Sequence, residues 1–498
     1  MSDSGRRTLW AVLALLLLLA FAFQGTRGIW EPDEGRYTSA GINMLRYGDW
    51  MVPTIDAEHP HLTKPPVTYW TLAASFAVLG ANEWAARLPA ALAFVGAGLC
   101  VFGLGRRLVP ARPWLPPVVW SLSFAPFLAA NIVSTDILLL LFETAAMWAF
   151  VEAWSRPPGE RAGWTRAMWA LWGLAFMTKG PPGMLPLFGM MAMFAIHDRS
   201  RLRGLLDPLG LLLFAAIAAW WFVVVIAQDP SRLQYFLGYE VYDRVFTATH
   251  NRNAEWYGGV IVYAPVLAIG GLPWSVLAIA AAGGPGAAWR GLRERLRRRD
   301  PQWLLLAYWF AVPFAIFMAA RSRLPLYIMP LFVPLAIACA RALARWSWLT
   351  PQRLRNIAVV TAVALLGCKA GLAHWHSDRD SRSMARAVAR VVQPADYDGY
   401  TFLEMRPFYG LNLYLGKPVK AVPFVANTGS LSAYAKGEDL CSELGRERRT
   451  IYAMKQNKVA RFLAGVTQCG GGAPREIGHF NADGNKIALY VVPHGAAG

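Results

Sequence analysis

The sequence predicts a polytopic α-helical membrane protein of about eleven spans, with helices lying along the outer membrane face in its first loop and a small C-terminal α/β domain outside the membrane. Three observations carry this expectation. Of 498 residues, 55% are hydrophobic and only 16% charged, whereas a soluble chain carries roughly a quarter charged residues. Apolar runs of spanning length recur along the chain, and alternate connections between them are rich in arginine. Past Ala373 the composition changes to short β-like runs separated by polar segments and turn clusters.

In chain order, Leu9 to Phe23 is the first apolar run, and no small-residue cleavage site follows it, so it reads as a retained helix rather than a signal peptide. The basic connections are Arg6-Arg7, Arg106-Arg107, Arg156 to Arg166, Arg199 to Arg203, Arg290 to Arg299 and Arg341 to Arg355. The positive-inside rule puts these in the cytoplasm, with the N terminus inside and the Asp33 loop outside. Asp33 to Gly48 reads as an amphipathic helix, with Tyr37, Gly41, Met44 and Leu45 on an apolar stripe and Arg36, Ser39, Asn43 and Arg46 on a polar one. Pro32 suits its start and Gly48 its end. Pro65 to Gly80 is apolar but short, and is expected to lie against the outer face, because counting it as a span would move Arg106-Arg107 to the wrong side. The division is residues 1–373 as the membrane domain and 374–498 as an external α/β domain with strands at Tyr400 to Leu403, Thr450 to Ala453 and Lys486 to Val492. The net charge of +18 follows this topology, with attraction to anionic membrane lipids as a by-product, and no nucleic-acid partner is expected.

The motif that decides function is EPDEGRY, Glu31 to Tyr37, followed one loop later by TKPPVTYW. Ionisable groups gathered at the edge of a hydrocarbon slab are costly to hold and mark chemistry or transport. Further outward-facing polar positions are Lys64, Asp136 in STD, Lys179 in TKGPPG, Glu240, Arg244 and His250 in the loop Gln228 to Trp256, and Arg321, Arg323 and Tyr327 in RSRLPLY. Carboxylates can take a proton or stabilise positive charge at carbon, and Lys and Arg can hold a phosphate leaving group. Carboxylates facing a cationic cradle point to transfer of a group from a phosphorylated carrier. A transporter would instead place ionisable positions near the midplane of paired repeats, and none is evident.

At these residues the chain resembles the C-type integral-membrane glycosyltransferases, specifically the superfamily of protein mannosyltransferases and lipid A aminoarabinose transferases. The resemblance lies in the DE pair followed by RY, the Lys-Pro-Pro opening, TKG and LPLY followed by proline. It implies inverting transfer of a sugar from a polyprenyl-phosphate donor to a glycolipid or protein acceptor at the outer leaflet of a bacterial inner membrane. Carried over, it makes Asp33 the catalytic carboxylate with Glu34 and Asp136 as supporting acids, and Lys64, Arg323, Tyr327 and Arg244 ligands of the carrier phosphate. Arg36, Tyr37, Lys179, Glu240, His250 and Arg321 are weaker substrate-binding candidates. Thr63 stands where the aminoarabinose enzymes often have an acid, and Lys64 where mannosyltransferases have histidine, so a metal ligand there is in doubt and the first branch is favoured. A divalent metal is conceivable but nothing in the sequence requires a cofactor, since His59, His61 and His250 lack metal-ligand spacing.

Each position has a plainer competitor. Asp33 and Glu34 suit a helix N-terminus, Lys64, Arg321 and Arg323 could snorkel to headgroups, Tyr327 fits an interfacial aromatic belt, and Asp136 a helix cap. Of the five cysteines, Cys441 and Cys469 alone fall in the soluble domain, and its expected oxidising compartment favours a disulfide between them.

Overall fold

A computed structural model describes residues 3–56, 58–247, 252–426, 438–446 and 448–493. It is mostly helical, with a small sheet near its C-terminal end. Among the described residues six helices are long and apolar enough to cross a membrane, from Glu83–Leu108 to Pro351–Leu372. The pair Gly258–Gly270 and Trp274–Ala281, bent by 75°, raises the number to seven if it forms one broken span. Counting apolar runs in the sequence gives about eleven, and several of those runs fold as shorter helices, such as Leu115–Ser121, Phe124–Ala130 and Leu185–His197.

The chain divides into two compact units: Met1–Phe23 with Ala90–Lys369, and Gln24–Pro89 with Ala370–Gly498. The first unit opens with helix α1, Asp3–Phe21. Its apolar core runs from Val12 and Leu16 through Phe94, Trp120, Phe150 and Trp172 to Ile328 and Ile337. Glycines allow close approach there: a Cβ at Gly103 would collide with the Trp148 indole, and one at Gly189 with the Tyr308 carbonyl.

The second unit joins the first loop to the C-terminal segment. Helix α2, Asp33–Tyr47, begins with two acids in its first turn, where the helix dipole favours negative charge, and ends at Gly48 with φ 72°, whose N–H donates to the Met44 carbonyl. Helix α3, Val67–Leu79, has 13 residues and is therefore about 20 Å long, too short to cross a hydrocarbon core of about 30 Å. Helix α4, Glu83–Leu108, starts in this unit and carries Pro89 within it.

Five strands form one sheet: β1 Gly399–Leu403, β2 Val419–Val422, β3 Thr450–Lys455, β4 Arg475–Ala482 and β5 Asn485–Val491. Their order is β2-β1-β3-β5-β4, with β1 parallel to β2 and β3, and β5 antiparallel to β3 and β4. Strand alternation separates two cores. Tyr400, Phe402, Ile451 and Ala453 pack with Met384, Val388 and Ile55 of the first loop, whereas Leu403, Tyr452 and Met454 pack with Phe462 and Val466. Cys441 and Cys469 are joined by a disulfide.

Candidate functional site

Two clusters of chemistry-bearing side chains stand out, one in each unit. In the second unit the neighbouring acids at the start of α2 have opposite surroundings. The Asp33 side chain is 45% exposed and pairs with Arg36 one turn later. Glu34 is 3% exposed. Arg27 donates to both its carboxylate oxygens at 2.8 Å, Arg87 Nη2 donates at 3.2 Å and the Trp30 N–H at 2.9 Å. Burial alone would raise the Glu34 carboxyl, but Arg27 and Arg87 outweigh it and pull it down to about 2. Such a group has no basicity near neutral pH, so Glu34 serves to fold the loop around two guanidiniums and leaves Asp33 as the accessible carboxylate.

Next to Asp33, Arg36 and Lys64 flank His61. Burial first, then the charges of Arg36 and Lys64, holds the His61 imidazole well below its usual range and therefore neutral. Thr63 Oγ1 lies 3.2 Å from His61 Nε2, and the Lys64 ammonium donates to the Thr63 carbonyl at 2.6 Å. The Tyr69 ring sits 5.7 Å from His61 and 5.9 Å from Tyr37. The EPDEGRY and TKPP motifs thus meet in space, combining one half-exposed carboxylate with two half-buried cations. Cations so placed can take an anionic oxygen.

In the first unit Asp136 lies in the first turn of helix Thr135–Trp154, and its N–H bonds to Ser134 Oγ at 3.2 Å. Its carboxylate pairs with Lys179, the last residue of helix Ala162–Lys179, and both side chains are nearly buried. The Lys179 ammonium stands 4.3 Å from the centre of the Tyr327 ring. Arg323 is used differently: its Nη1 donates to the carbonyls of Asn253 and Glu255 at 2.6 and 2.7 Å and its Nη2 to that of Met318 at 3.0 Å. That guanidinium shapes the segment from Asn253 to Glu255. Glu240 accepts from the Tyr235 hydroxyl at 3.2 Å, and Arg321 is exposed. The Arg244 side chain and His250 lie outside the described residues. Among the described residues no group of three or more His, Cys, Asp or Glu is arranged to hold a metal ion.

Residues 63–236 match the family model described as dolichyl-phosphate-mannose-protein mannosyltransferase. The undecaprenyl phosphate-alpha-4-amino-4-deoxy-L-arabinose arabinosyl transferase of Edwardsiella ictaluri is 31% identical over 394 residues, covering 77% of this chain and 69% of that protein. The chain belongs to that arabinosyl transferase family. The enzyme of the same description from Pectobacterium carotovorum is 28% identical over 407 residues, covering 76% of this chain and 69% of its own. In fold, the chain matches a crystal structure of ArnT from Cupriavidus metallidurans bound to undecaprenyl phosphate, with a TM-score of 0.75, 20% identity and 99% of each chain covered. The same protein in its apo state matches with a TM-score of 0.73. The protein is thus a multi-pass membrane member of a glycosyltransferase family, and the fold likeness includes the terminal domain, where the sequence resemblance lies only in position.

Within this family member, several structural supports of the first loop are not evident in the motifs. Arg27 and Arg87 clamp Glu34, and Arg87 could have been noticed as a lone charge in the apolar run that forms α4. Glu31 is buried, accepting from Ser381 Oγ at 2.8 Å and from the Gly410 N–H at 2.6 Å. The polar stripe of α2 also needs correction: Ser39 and Asn43 do not face water but are completely buried against Asn412. An amphipathic pattern cannot distinguish solvent from a polar partner supplied by distant sequence.

Proposed function

We propose that this protein is a bacterial inner-membrane transferase that moves a sugar of the 4-amino-4-deoxy-L-arabinose type from undecaprenyl phosphate to a lipid A-type glycolipid, with inversion at the anomeric carbon. The observation that supports this best is the accessible Asp33 carboxylate paired with Arg36, which together with Lys64 acts on the neighbouring His61, in a chain 31% identical to an arabinosyl transferase over most of its length. In a single displacement the acceptor oxygen bonds to the anomeric carbon as the bond to the carrier phosphate breaks. Asp33 accepts the proton of a hydroxyl acceptor, or orients an acceptor that is already an anion. The departing phosphate gains negative charge, and Lys64 with Arg36 stabilises it. We assign Tyr327 and Lys179 to substrate contact, Asp136 to holding Lys179, and Arg323 to shaping the loop beside Tyr327. Residues 1–373 carry the transferase and 374–498 an external domain, with the N terminus cytoplasmic.

The test is Asp33→Asn in the full chain, with undecaprenyl-phosphate-linked aminoarabinose as donor and lipid A as acceptor, followed by mass spectrometry. Loss of the carboxylate should lower turnover by about 10²-fold or more with folding intact. Turnover near that of the parent protein would refute the role of Asp33. The mannosyltransferase family match over residues 63–236 favours one second reading, a protein acceptor; labelled protein instead of labelled lipid A would establish it.

A further inference from the structure

The Asp33 helix is fastened along its length by the C-terminal segment of its own unit. Just before α2, Trp30 and Asp380 form an isolated antiparallel bridge, with Glu31 N–H donating to the Arg379 carbonyl and Ser381 N–H to that of Ile29, each at 2.9 Å. Glu31 then takes its two bonds from Ser381 and Gly410, and its Oε2 has no hydrogen-bond partner among the described residues. Glycines make room for this carboxylate: a Cβ at Gly35 would collide with Glu31, and one at Gly410 with Ser381 Oγ.

Further along, Ser39, Asn43 and Arg46 share one helix face at spacings of four and three. All three meet one side chain. Asn412, in the short helix Leu411–Leu415, is 1% exposed. Its Nδ2 donates to Ser39 Oγ at 2.9 Å and to Asn43 Oδ1 at 3.1 Å, while its Oδ1 accepts from Arg46 Nη2 at 2.8 Å. Arg46 Nη2 also donates to the Gly416 carbonyl at 3.0 Å. The amide of Asn412 therefore has both donors and its acceptor committed to α2. An apolar contact would tolerate rotation of the helix, whereas three directed bonds fix it.

We propose that Asn412 is a positioning residue for sugar transfer: it fixes the rotation of α2 and thereby the aim of the Asp33 carboxylate at its first turn, an assignment that rests on the role of Asp33 proposed above. A turn of about 10° about the helix axis moves a carboxylate roughly 6 Å from that axis by about 1 Å. Displacement of that size at a reacting group costs on the order of 10²-fold in rate. The C-terminal domain is in this sense part of the catalytic apparatus without supplying a reacting group.

The test uses the full chain, with undecaprenyl-phosphate-linked aminoarabinose and lipid A. Asn412→Ala should lower kcat by about 10- to 100-fold while leaving the donor KM within about twofold, and its melting temperature identifies any loss of fold. Asn412→Asp keeps the volume and the oxygen facing Arg46 but removes both N–H donors, and should show the same drop in kcat should the alanine variant not accumulate. The deciding measurement combines each with Asp33→Asn. A residue acting through Asp33 adds little to that variant, so the double variants should match Asp33→Asn alone, whereas an independent structural defect would multiply the losses. Unchanged kcat in Asn412→Asp, or multiplying losses, overturns the positioning role. Full activity of Asp33→Asn would instead refute the assignment of Asp33 itself, so the two failures are distinct.

Discussion

Replacing Glu34 with glutamine separates the two acids of the first loop most sharply. The parent carboxylate is 3% exposed and receives bonds from Arg27, Arg87 and the Trp30 N–H. Its displacement from 4.5 to about 2, at about 1.4 kcal/mol per pH unit, corresponds to about 3 kcal/mol of stabilisation. Removing one partner of a buried pair gives a similar figure, about 3 to 5 kcal/mol, because the guanidiniums are left uncompensated. Glutamine retains one acceptor, so the lower figure applies. For a domain of about 200 residues this is a melting-point loss of about 6 to 12 °C. The folded carboxyl is depressed below its unfolded value, so its contribution is fully present above pH 4.5 and disappears as pH falls through about 2. Thermal unfolding of detergent-solubilised protein, followed by near-UV circular dichroism at pH 7 and at successively lower pH, should show a gap between parent and Glu34→Gln that narrows toward acid. A melting point within 2 °C of the parent at pH 7, about the resolution expected for 1 kcal/mol, would refute the structural role of Glu34.

Glu31 behaves oppositely, since burial pushes its carboxyl up to about 8. Its favourable contribution is therefore complete below pH 4.5 and lost as pH rises through about 8; Glu31→Gln should flatten the fall in melting point from pH 5 to 9, and parallel curves would refute this. Asp136→Asn or Lys179→Met alone should each cost about 3 to 5 kcal/mol, with the double variant recovering part of the loss; additive losses in thermal unfolding would mean the pair is not coupled. Reducing the disulfide, whose cysteines are 28 residues apart, should cost the C-terminal domain about 3 to 4 kcal/mol and speed proteolysis between them, and unchanged proteolysis would count against its contribution.

Local signals carried much of the fold. Pro32 and Gly48 bracket α2 because a proline at the start and a left-handed glycine at the end act within one turn. β1, β3 and β5 were readable as short apolar β-like runs, whereas β2, with Lys420, and β4, with Arg475 and Glu476, were not. Asp33 and Lys64 were legible from motif order. Their supports were not: Glu31 meets Ser381, and Asn43 meets Asn412, across more than 340 residues of sequence, and no local period encodes such pairings. Among the described residues six helices, or seven with the bent pair, are long and apolar enough to cross unbroken, and other apolar runs fold as shorter helices, a division that hydropathy alone does not display.

The second unit is assembled from two stretches separated by residues 90–369. During synthesis at about 5 to 20 residues per second, the first loop therefore waits roughly a quarter to one minute before Ser381, Gly410 and Asn412 exist to receive it. Through that interval Glu31 lacks both its donors and Ser39 and Asn43 lack their amide partner, so the loop bearing Asp33 is unfinished while the intervening helices are being made. On the role proposed for Asp33, the alignment of α2 therefore follows the folding of the segment that carries Ser381, Gly410 and Asn412, so the timing of that step sets when the first loop is ready to work.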